Sequence, residues 1–479
     1  MTGSQPSPTE PPFPTECDPR LRLLIPLTIA SAFLMEHLDS TIITTAIPRM
    51  AVDLGTTVLR MNLAVTTYVL TLAVFIPVSG WLADRFGARR IFVLALLVFT
   101  ASSALCGLVE NLPQLVVARC LQGLGGAMMT PVGRLILLRS FPRSQFVTAM
   151  LYTSLPALIG PVMGPLVGGF LTSYASWRWI FYVNIPFGLL GCVLALRFIE
   201  DVRDERTAGF DFLGFLMVGV GLGLLQLGIE NLSRPILGSA MIATVLAAAI
   251  VLLLAFAVHS QFHAAPAVDL TLLRLRTFRV GTLAGGICRV GMNGVPFLLP
   301  LMLQVAIGLS PAQSGTLTFA LALGAVGLRP ISIRLLRLLG FDRVLLWSAI
   351  AGAILIAGFA LVRPGMSYGL IVGYIALFGL LRSAQFMSSN TLSYADMPAD
   401  KLSRATSLGG VLQQLSVSFG VSAAALLLEL VKGPDHVLTL EDFHQTFLLM
   451  ALVPLLAVPG FLTLRPEDGT RVSGHRRHR

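Results

Sequence analysis

The chain has 479 residues and a mass of 51.3 kDa, is 55% hydrophobic and only 12% charged, and has a mean hydropathy of +0.81. Soluble domains carry about 25% charged residues, and no soluble surface could hide this much apolar side chain. Soluble enzymes, nucleic-acid binders and disulfide-framed secreted proteins are therefore excluded, and an all-α polytopic membrane protein remains despite a net charge of +10.

Residues 1–20 are polar and Pro-rich and read as a disordered cytoplasmic tail. From Leu23 onward apolar runs recur, each long enough to cross a bilayer. The first is too long for a signal peptide. The runs fall near 23–48, 61–82, 91–110, 114–138, 146–173, 179–199, 211–230, 236–258, 277–305, 312–336, 343–362, 367–390, 404–430 and 444–464, fourteen in all. Charged breaks at Glu200–Arg206 and around His259–Arg279 divide them as 6 + 2 + 6. The expected organisation is an N-terminal six-helix bundle over 21–205, a two-helix insertion over 206–265, a C-terminal six-helix bundle over 266–465 and a basic cytoplasmic tail over 466–479.

The basic residues test this count. With a cytoplasmic N-terminus, 24 of the 34 Lys and Arg fall in inner loops or inner span ends, six fall outside, and four, Arg119, Arg289, Arg329 and Arg382, lie within spans. That asymmetry matches the positive-inside rule and predicts cytoplasmic termini. It turns the basicity into a topology signal, with the anionic inner leaflet as partner and no role for nucleic acid. The two lysines, Lys401 and Lys432, sit in no G-x-x-x-x-G-K-[ST] motif, so no ATP site is expected. No cofactor is expected, and coupling must draw on an ion gradient. The five cysteines show no paired or zinc-binding spacing, and no metal site is expected.

The loop between spans 2 and 3 reads Gly80-Trp81-Leu82-Ala83-Asp84-Arg85-Phe86-Gly87-Ala88-Arg89-Arg90. Gly80 and Gly87 permit tight packing and a sharp turn, and Asp84 among arginines can form a charge network that shifts between states. Span 4 carries Arg119-Cys120-Leu121-Gln122-Gly123, and span 5 carries Gly160-Pro161-Val162-Met163-Gly164-Pro165-Leu166-Val167-Gly168-Gly169. Span 1 carries Leu38-Asp39-Ser40-Thr41, and span 6 opens on Trp177-Arg178-Trp179-Ile180-Phe181-Tyr182-Val183-Asn184-Ile185-Pro186. Together these stretches resemble the major facilitator superfamily, and within it the fourteen-span drug–proton antiporters. The resemblance covers nearly all of 20–465. It implies two six-helix bundles that rock about a central cavity, in a monomer of the bacterial inner membrane that exchanges protons for a small-molecule substrate. Arg329, Arg334, Arg337, Gly340 and Arg343 are a faint second copy of the loop motif.

Ionisable side chains inside a bilayer are costly and mark function. Glu36 and Asp39 stand at i,i+3 on one face of span 1. Close carboxylates disfavour double ionisation and burial favours the neutral form, which suits a proton carrier. Counting at 1.5 Å per residue puts Asp39 about 12 Å and Arg119 about 8 Å from the outer ends of their spans, so the two can meet. Arg119 would hold a carboxylate ionised when paired and release it when separated; a static Arg–Asp clamp is the alternative. Glu36 departs from the usual family pattern and reads as a second proton site or a lure for cationic cargo. His37 faces elsewhere. Arg289, at a depth in span 9 equivalent to Glu36 in span 1, could bind an anionic cargo group, act as counter-ion or satisfy carbonyls. Asn293 lies one turn on. Tyr68, Gln122, Phe297, Arg382, Gln413 and Gln414 complete the expected cavity set.

Gly160, Gly164 and Gly168 form a ridge for close helix approach, while Pro161 and Pro165 bend span 5. A closely packed span 5 could seal the cavity against proton leak. The expected function is proton-coupled export of lipophilic or amphipathic compounds. Rivals are export of one endogenous metabolite, proton symport and a non-transporting sensor. An embedded enzyme is not expected, since no His-Glu-x-x-His constellation is present.

Overall fold

A computed structural model describes residues 21–470 except 142, 202–208, 234–237, 264–265, 328, 399–400, 433–437 and 466. The expected N-terminal tail, the expected C-terminal tail apart from 467–470, and most of the charged break after span 6 lie outside the described residues. Within them the chain is all helical. Backbone groups in lipid have no water to bond, so each apolar run closes its own hydrogen bonds.

In the expected 6 + 2 + 6 division, the first bundle comprises α1 (Leu21–Ile42), α2 (Asn62–Phe86), α3 (Ala88–Leu108), α4 (Leu112–Ser140), α5 (Arg143–Tyr174) and α6 (Asn184–Phe198). The insertion is α7 (Phe212–Ser233) and α8 (Ser239–Phe262). The second bundle comprises α9 (Gly285–Leu301), α10 (Pro311–Gly327), α11 (Arg329–Gly358), α12 (Tyr368–Ala395), α13 (Leu402–Val431) and α14 (Leu440–Leu455). Twelve stretches among the described residues are long and apolar enough to cross a membrane. Of α1–α14, the two without such a stretch are α5, many of whose side chains lie outside the described residues, and α10, which has 17 residues.

Boundaries shift in one informative place. The apolar run expected over 312–336 ends as helix at Gly327. Residues from Arg329 belong to α11, which turns sharply at Gly340 (φ 77°, ψ 167°), at the start of its crossing stretch, Leu338–Leu361. A Cβ is disfavoured at that φ, so glycine marks the corner.

Leu23 and the α2–α3 turn lie on one face, here the N-face; the α4 start and the α1 end lie on the far face. On the far face the two bundles share one apolar core. It joins Ile42, Ile47, Met61 and Trp177 of the first bundle to Leu298, Leu301, Phe359 and Phe447 of the second. Towards the N-face the core divides in two: Phe33, Phe92, Phe99 and Phe141 pack within the first bundle, while Val218, Leu222 and Phe256 of the insertion pack with Ala73 of α2 and with Ala405, Leu408 and Val411 of α13. Two hydrogen bonds cross the far-face seam, Gln304 Nε2 to Thr45 O (3.0 Å) and Ala312 N to Ser173 Oγ (2.9 Å). The bundles meet along α5–α10 and α2–α13, and α7 rests against α2 and α13. Leu97, Leu105, Val193, Leu254, Ile354 and Leu370 are exposed on the outside, an apolar surface that suits lipid and would be untenable in water.

Candidate functional site

α4 starts where Asn111 accepts the Gln114 N–H (3.0 Å) and Pro113 fills the first turn. About two turns later it delivers Arg119 to Asp39 of α1, Nη1 to Oδ2 at 2.6 Å, with both side chains fully buried. Gln122 Nε2 (2.8 Å) and Asn184 Nδ2 (3.3 Å) donate to the other carboxylate oxygen. Gln122 also accepts from Arg119 Nη1 (2.7 Å), Arg119 Nε bonds the Ala64 carbonyl (3.0 Å), and the guanidinium carbon lies 4.2 Å from the Tyr68 ring centre. Every charge here is paired. Yet Arg119 Nη2 and the Tyr68 hydroxyl are buried without a hydrogen-bond partner. Removing one member of such a buried pair strands the other, at about 3–5 kcal/mol.

Glu36 sits one turn closer to the N-face and is also buried. Its carboxylate accepts from the Thr130 hydroxyl of α4 at 2.6 Å. The α4 side chains that meet the acids of α1 are thus Arg119, Gln122 and Thr130, and they serve the two acids at separate points. Arg119 reaches Asp39, while Glu36 bonds Thr130. His37 turns the other way, its Cβ against Gly160 of α5.

The α5 glycines divide between two neighbours. Gly164 and Gly168 lie against Thr41 and Ile42 of α1 and against Thr45 in the turn that follows it, where a Cβ would collide. Gly169 lies against the Pro311 carbonyl and Gly315 of α10, and Gly315 lies against the Pro165 carbonyl. One ridge therefore holds the first bundle together and the other closes the far-face seam. The helix continues through Pro161 and Pro165.

At the N-face, Gly87 turns the chain with φ 99° and abuts Asp201. Asp84 pairs with Arg139 at the end of α4 (2.7 Å), Arg90 with Asp201 (2.9 Å), and Arg89 donates to the Ile199 carbonyl (3.3 Å). Arg85 lies over Trp81 (5.4 Å). These contacts tie the loop to its own bundle. Gly80 has nothing within 4 Å of a would-be Cβ, so the close packing expected there is absent.

In the second bundle Arg289 and Asn293 occupy successive turns of α9, and Arg382 and Phe386 successive turns of α12. Arg382 Nη2 donates to Asn293 Oδ1 (2.8 Å), and Arg289 lies 5.6 Å from the Phe386 ring centre. Phe297 is inside the core rather than at a surface. Gln413 and Gln414 lie half-buried on α13.

Sequence reasoning left out four functional-looking polar groups. Thr130, Ser103 and Asn184 carry no charge to announce them, although Asn184 stood inside the span-6 motif; its amide bridges Asp39 and Ser103 (3.0 Å). Glu230 stood at a span edge. It accepts from Asn62 (2.8 Å) and Thr66 (3.3 Å) of α2, Gln226 (2.9 Å) of α7 and Ser422 (3.1 Å) of α13. The insertion is thus pinned to both bundles. At its N-face end, Asp211, His259 and His263 place ligand atoms within 4.8 Å of one another. Asp211 is already engaged: it caps α7 through the Gly214 N–H (2.9 Å), accepts from Ala267 N (3.1 Å) and meets His259 Nε2 (2.8 Å). Burial pushes its carboxyl up, but the bonds from Gly214, His259 and Ala267 outweigh this and hold it below the ordinary 3.8.

The model of the family described as Major Facilitator Superfamily matches residues 29–421 and 281–478. The chain is 38% identical over 456 residues to “Putative multidrug resistance protein MdtD” of Klebsiella pneumoniae strain 342, covering 94% of this chain and 96% of that one. It is 37% identical over 447 residues to the protein of the same name in Escherichia coli K12 / DH10B, covering 92% and 94%. Among solved structures, a mutant of nucleoside transporter NupG aligns with a TM-score of 0.64 at 14% identity, over 92% of this chain and 99% of that one. An inward-facing, unoccupied bacterial homologue of the human lysosomal transporter Spinster aligns with a TM-score of 0.61 at 16% identity, over 93% and 97%. At such identities the structural likeness speaks for the fold.

Proposed function

The chain belongs to the major facilitator superfamily, a family of multi-pass membrane transporters rather than enzymes, and from that premise we propose that it exports lipophilic or amphipathic small molecules in exchange for protons. The observation that carries this reading is the buried Asp39–Arg119 pair at 2.6 Å, with Gln122 and Asn184 completing the carboxylate's shell. While Arg119 holds Asp39, the carboxylate has no need of a proton. When α1 and α4 shift, Asp39 loses its counter-ion in a low-dielectric site and takes one up. The Arg119 Nη2 and the Tyr68 hydroxyl, both without partners, allow the guanidinium to change acceptors during that shift. Glu36, one turn away on α1, is the second carrier.

We further read the topology as fourteen crossings in a 6 + 2 + 6 order with the N-face cytoplasmic, supported by the excess of Lys and Arg in the loops on that side. The shared far-face core then makes this the state closed to the outside. The name of the MdtD relatives supports drug-type cargo.

The test is probe accumulation in inverted vesicles under an imposed pH gradient, using ethidium as cation, Nile red as neutral probe and 1-naphthoate as anion. Gradient-dependent accumulation of at least one probe by the wild type, abolished by Asp39→Asn, is expected. Accumulation that persists in Asp39→Asn, or that ignores the gradient, overturns the proposal.

A further inference from the structure

Among the described residues, Arg289 and Arg382 are interior charges of the second bundle, and neither forms an ion pair with a carboxylate; Asp342 of α11 stands beside the Gly340 corner. Neither Gly285–Leu301 nor Tyr368–Ala395 contains Asp or Glu. The acids of α13 and α14 stand at helix ends, where Glu429 meets Lys432 (3.4 Å) and Asp442 closes a capping box with Thr439. The interior acids of the first bundle are engaged on their own side, Asp39 by Arg119 and Glu36 by Thr130.

Arg289 is only 5% exposed, and its Nε is buried with no hydrogen-bond partner. Arg382 bonds the Asn293 side-chain oxygen (2.8 Å), a neutral acceptor. The two guanidiniums lie on facing helices, interlocked through Asn293 and Phe386 about one helical turn apart. Two uncompensated cations at this depth are expensive. A planar guanidinium recovers most when it grips a carboxylate or phosphate with two parallel N–H bonds. Beside them Phe386, 38% exposed, offers an aromatic face.

We propose that Arg289, Arg382 and Asn293 form an oxyanion site that binds the carboxylate or phosphate head of an amphipathic cargo, with Phe386 receiving its apolar body. The inference rests on the exporter reading and specifies its cargo: amphipathic anions rather than the lipophilic cations that Glu36 would attract. Cargo charge then complements the two bundles, protons being handled by the acids of the first and the anion by the arginines of the second.

The test uses the purified full chain in nanodiscs of neutral phosphatidylcholine with four probes that share one ring system: 1-naphthoate, 1-naphthyl phosphate, 1-naphthalenemethanol and 1-naphthylmethylammonium. Equilibrium binding is read from naphthalene fluorescence without any gradient. At least one of the two anions should bind about tenfold or more tighter than the alcohol and the ammonium. Arg289→Gln and Arg382→Gln should each remove that advantage while still binding the alcohol, which shows that the variants are folded. Arg289→Lys should retain part of it, because charge remains but the fork is lost.

Equal binding of all four probes, preference for the ammonium, or an anion preference that survives Arg289→Gln would overturn the site. Repeating the measurement with phosphatidylglycerol discs separates cargo from lipid. Unchanged anion affinity supports cargo; its loss in wild type alone would assign the pair to lipid headgroups and overturn the cargo claim. Because binding needs no gradient, failure of gradient-driven accumulation with binding intact would count against the exporter reading alone.

Discussion

Asp39 and Arg119 are the residues on which the account turns, and burial makes their mutual dependence measurable. Arg119→Gln leaves a carboxylate buried without its cation, so it should cost about 3–5 kcal/mol in detergent unfolding. Asp39→Asn combined with Arg119→Gln removes both charges and should cost less than the two single changes added, by about 1 kcal/mol or more. Strict additivity would mean that the two do not act as a pair. Asp211 is a purely structural counterpart. Its carboxyl is held below the ordinary 3.8 by Gly214, His259 and Ala267, so its contribution is present above 3.8 and is lost as pH falls through the lowered native value. Asp211→Ala should therefore cost about 1 kcal/mol near neutral pH through the lost cap. The gap to wild type should narrow as pH falls below the ordinary carboxylate range; a constant gap would refute the charge argument.

Among the helices, α5 carries the most information because its glycines face two partners. A leucine at Gly164 must displace Thr41 and Ile42 of α1, an overpacking of about 1–3 kcal/mol, so Gly164→Leu should lower both melting temperature and export. A leucine at Gly169 meets Pro311 and Gly315 of α10 instead. That variant should keep the first bundle intact but hold the far-face seam open. In a cysteine-free background carrying Thr45→Cys, which is wholly buried at this seam, Gly169→Leu should speed labelling by a membrane-impermeant maleimide and Gly164→Leu should not. Equal labelling in both would show that the two ridges do not act separately. Sequence spacing revealed the 160–164–168 ridge because it repeats every four residues. It could not assign Gly169 to α10, because that contact depends on how the second bundle docks. The corner at Gly340 was missed for a related reason: the run over 312–336 stays apolar across the end of α10, and hydropathy does not register a backbone turn.

At the scale of the whole molecule, the superfamily architecture was legible because lipid demands long apolar helices and the loops carry their charge bias openly. The meeting of Asp39 and Arg119 was legible from depth counting alone, since both lie near the outer ends of spans in one bundle. Helix rotation was not legible. It sends Glu36 to Thr130 rather than to Arg119, brings Asn184 onto Asp39, and turns Glu230 from an apparent span-edge residue into the pin between the insertion and both bundles. Neutral polar side chains in apolar helices give no compositional warning, yet they set which acid is paired and which stands apart. The result is a molecule closed at the far face, with acids in one bundle, unneutralised arginines in the other, and an α5 whose two ridges bind it to both. The most direct check is proton movement in proteoliposomes loaded with pyranine, with ethidium, Nile red and 1-naphthoate added in turn. At least one probe should drive opposite proton movement in the wild type and none should do so in Asp39→Asn; proton exchange that persists undiminished in Asp39→Asn would contradict a coupling role for Asp39.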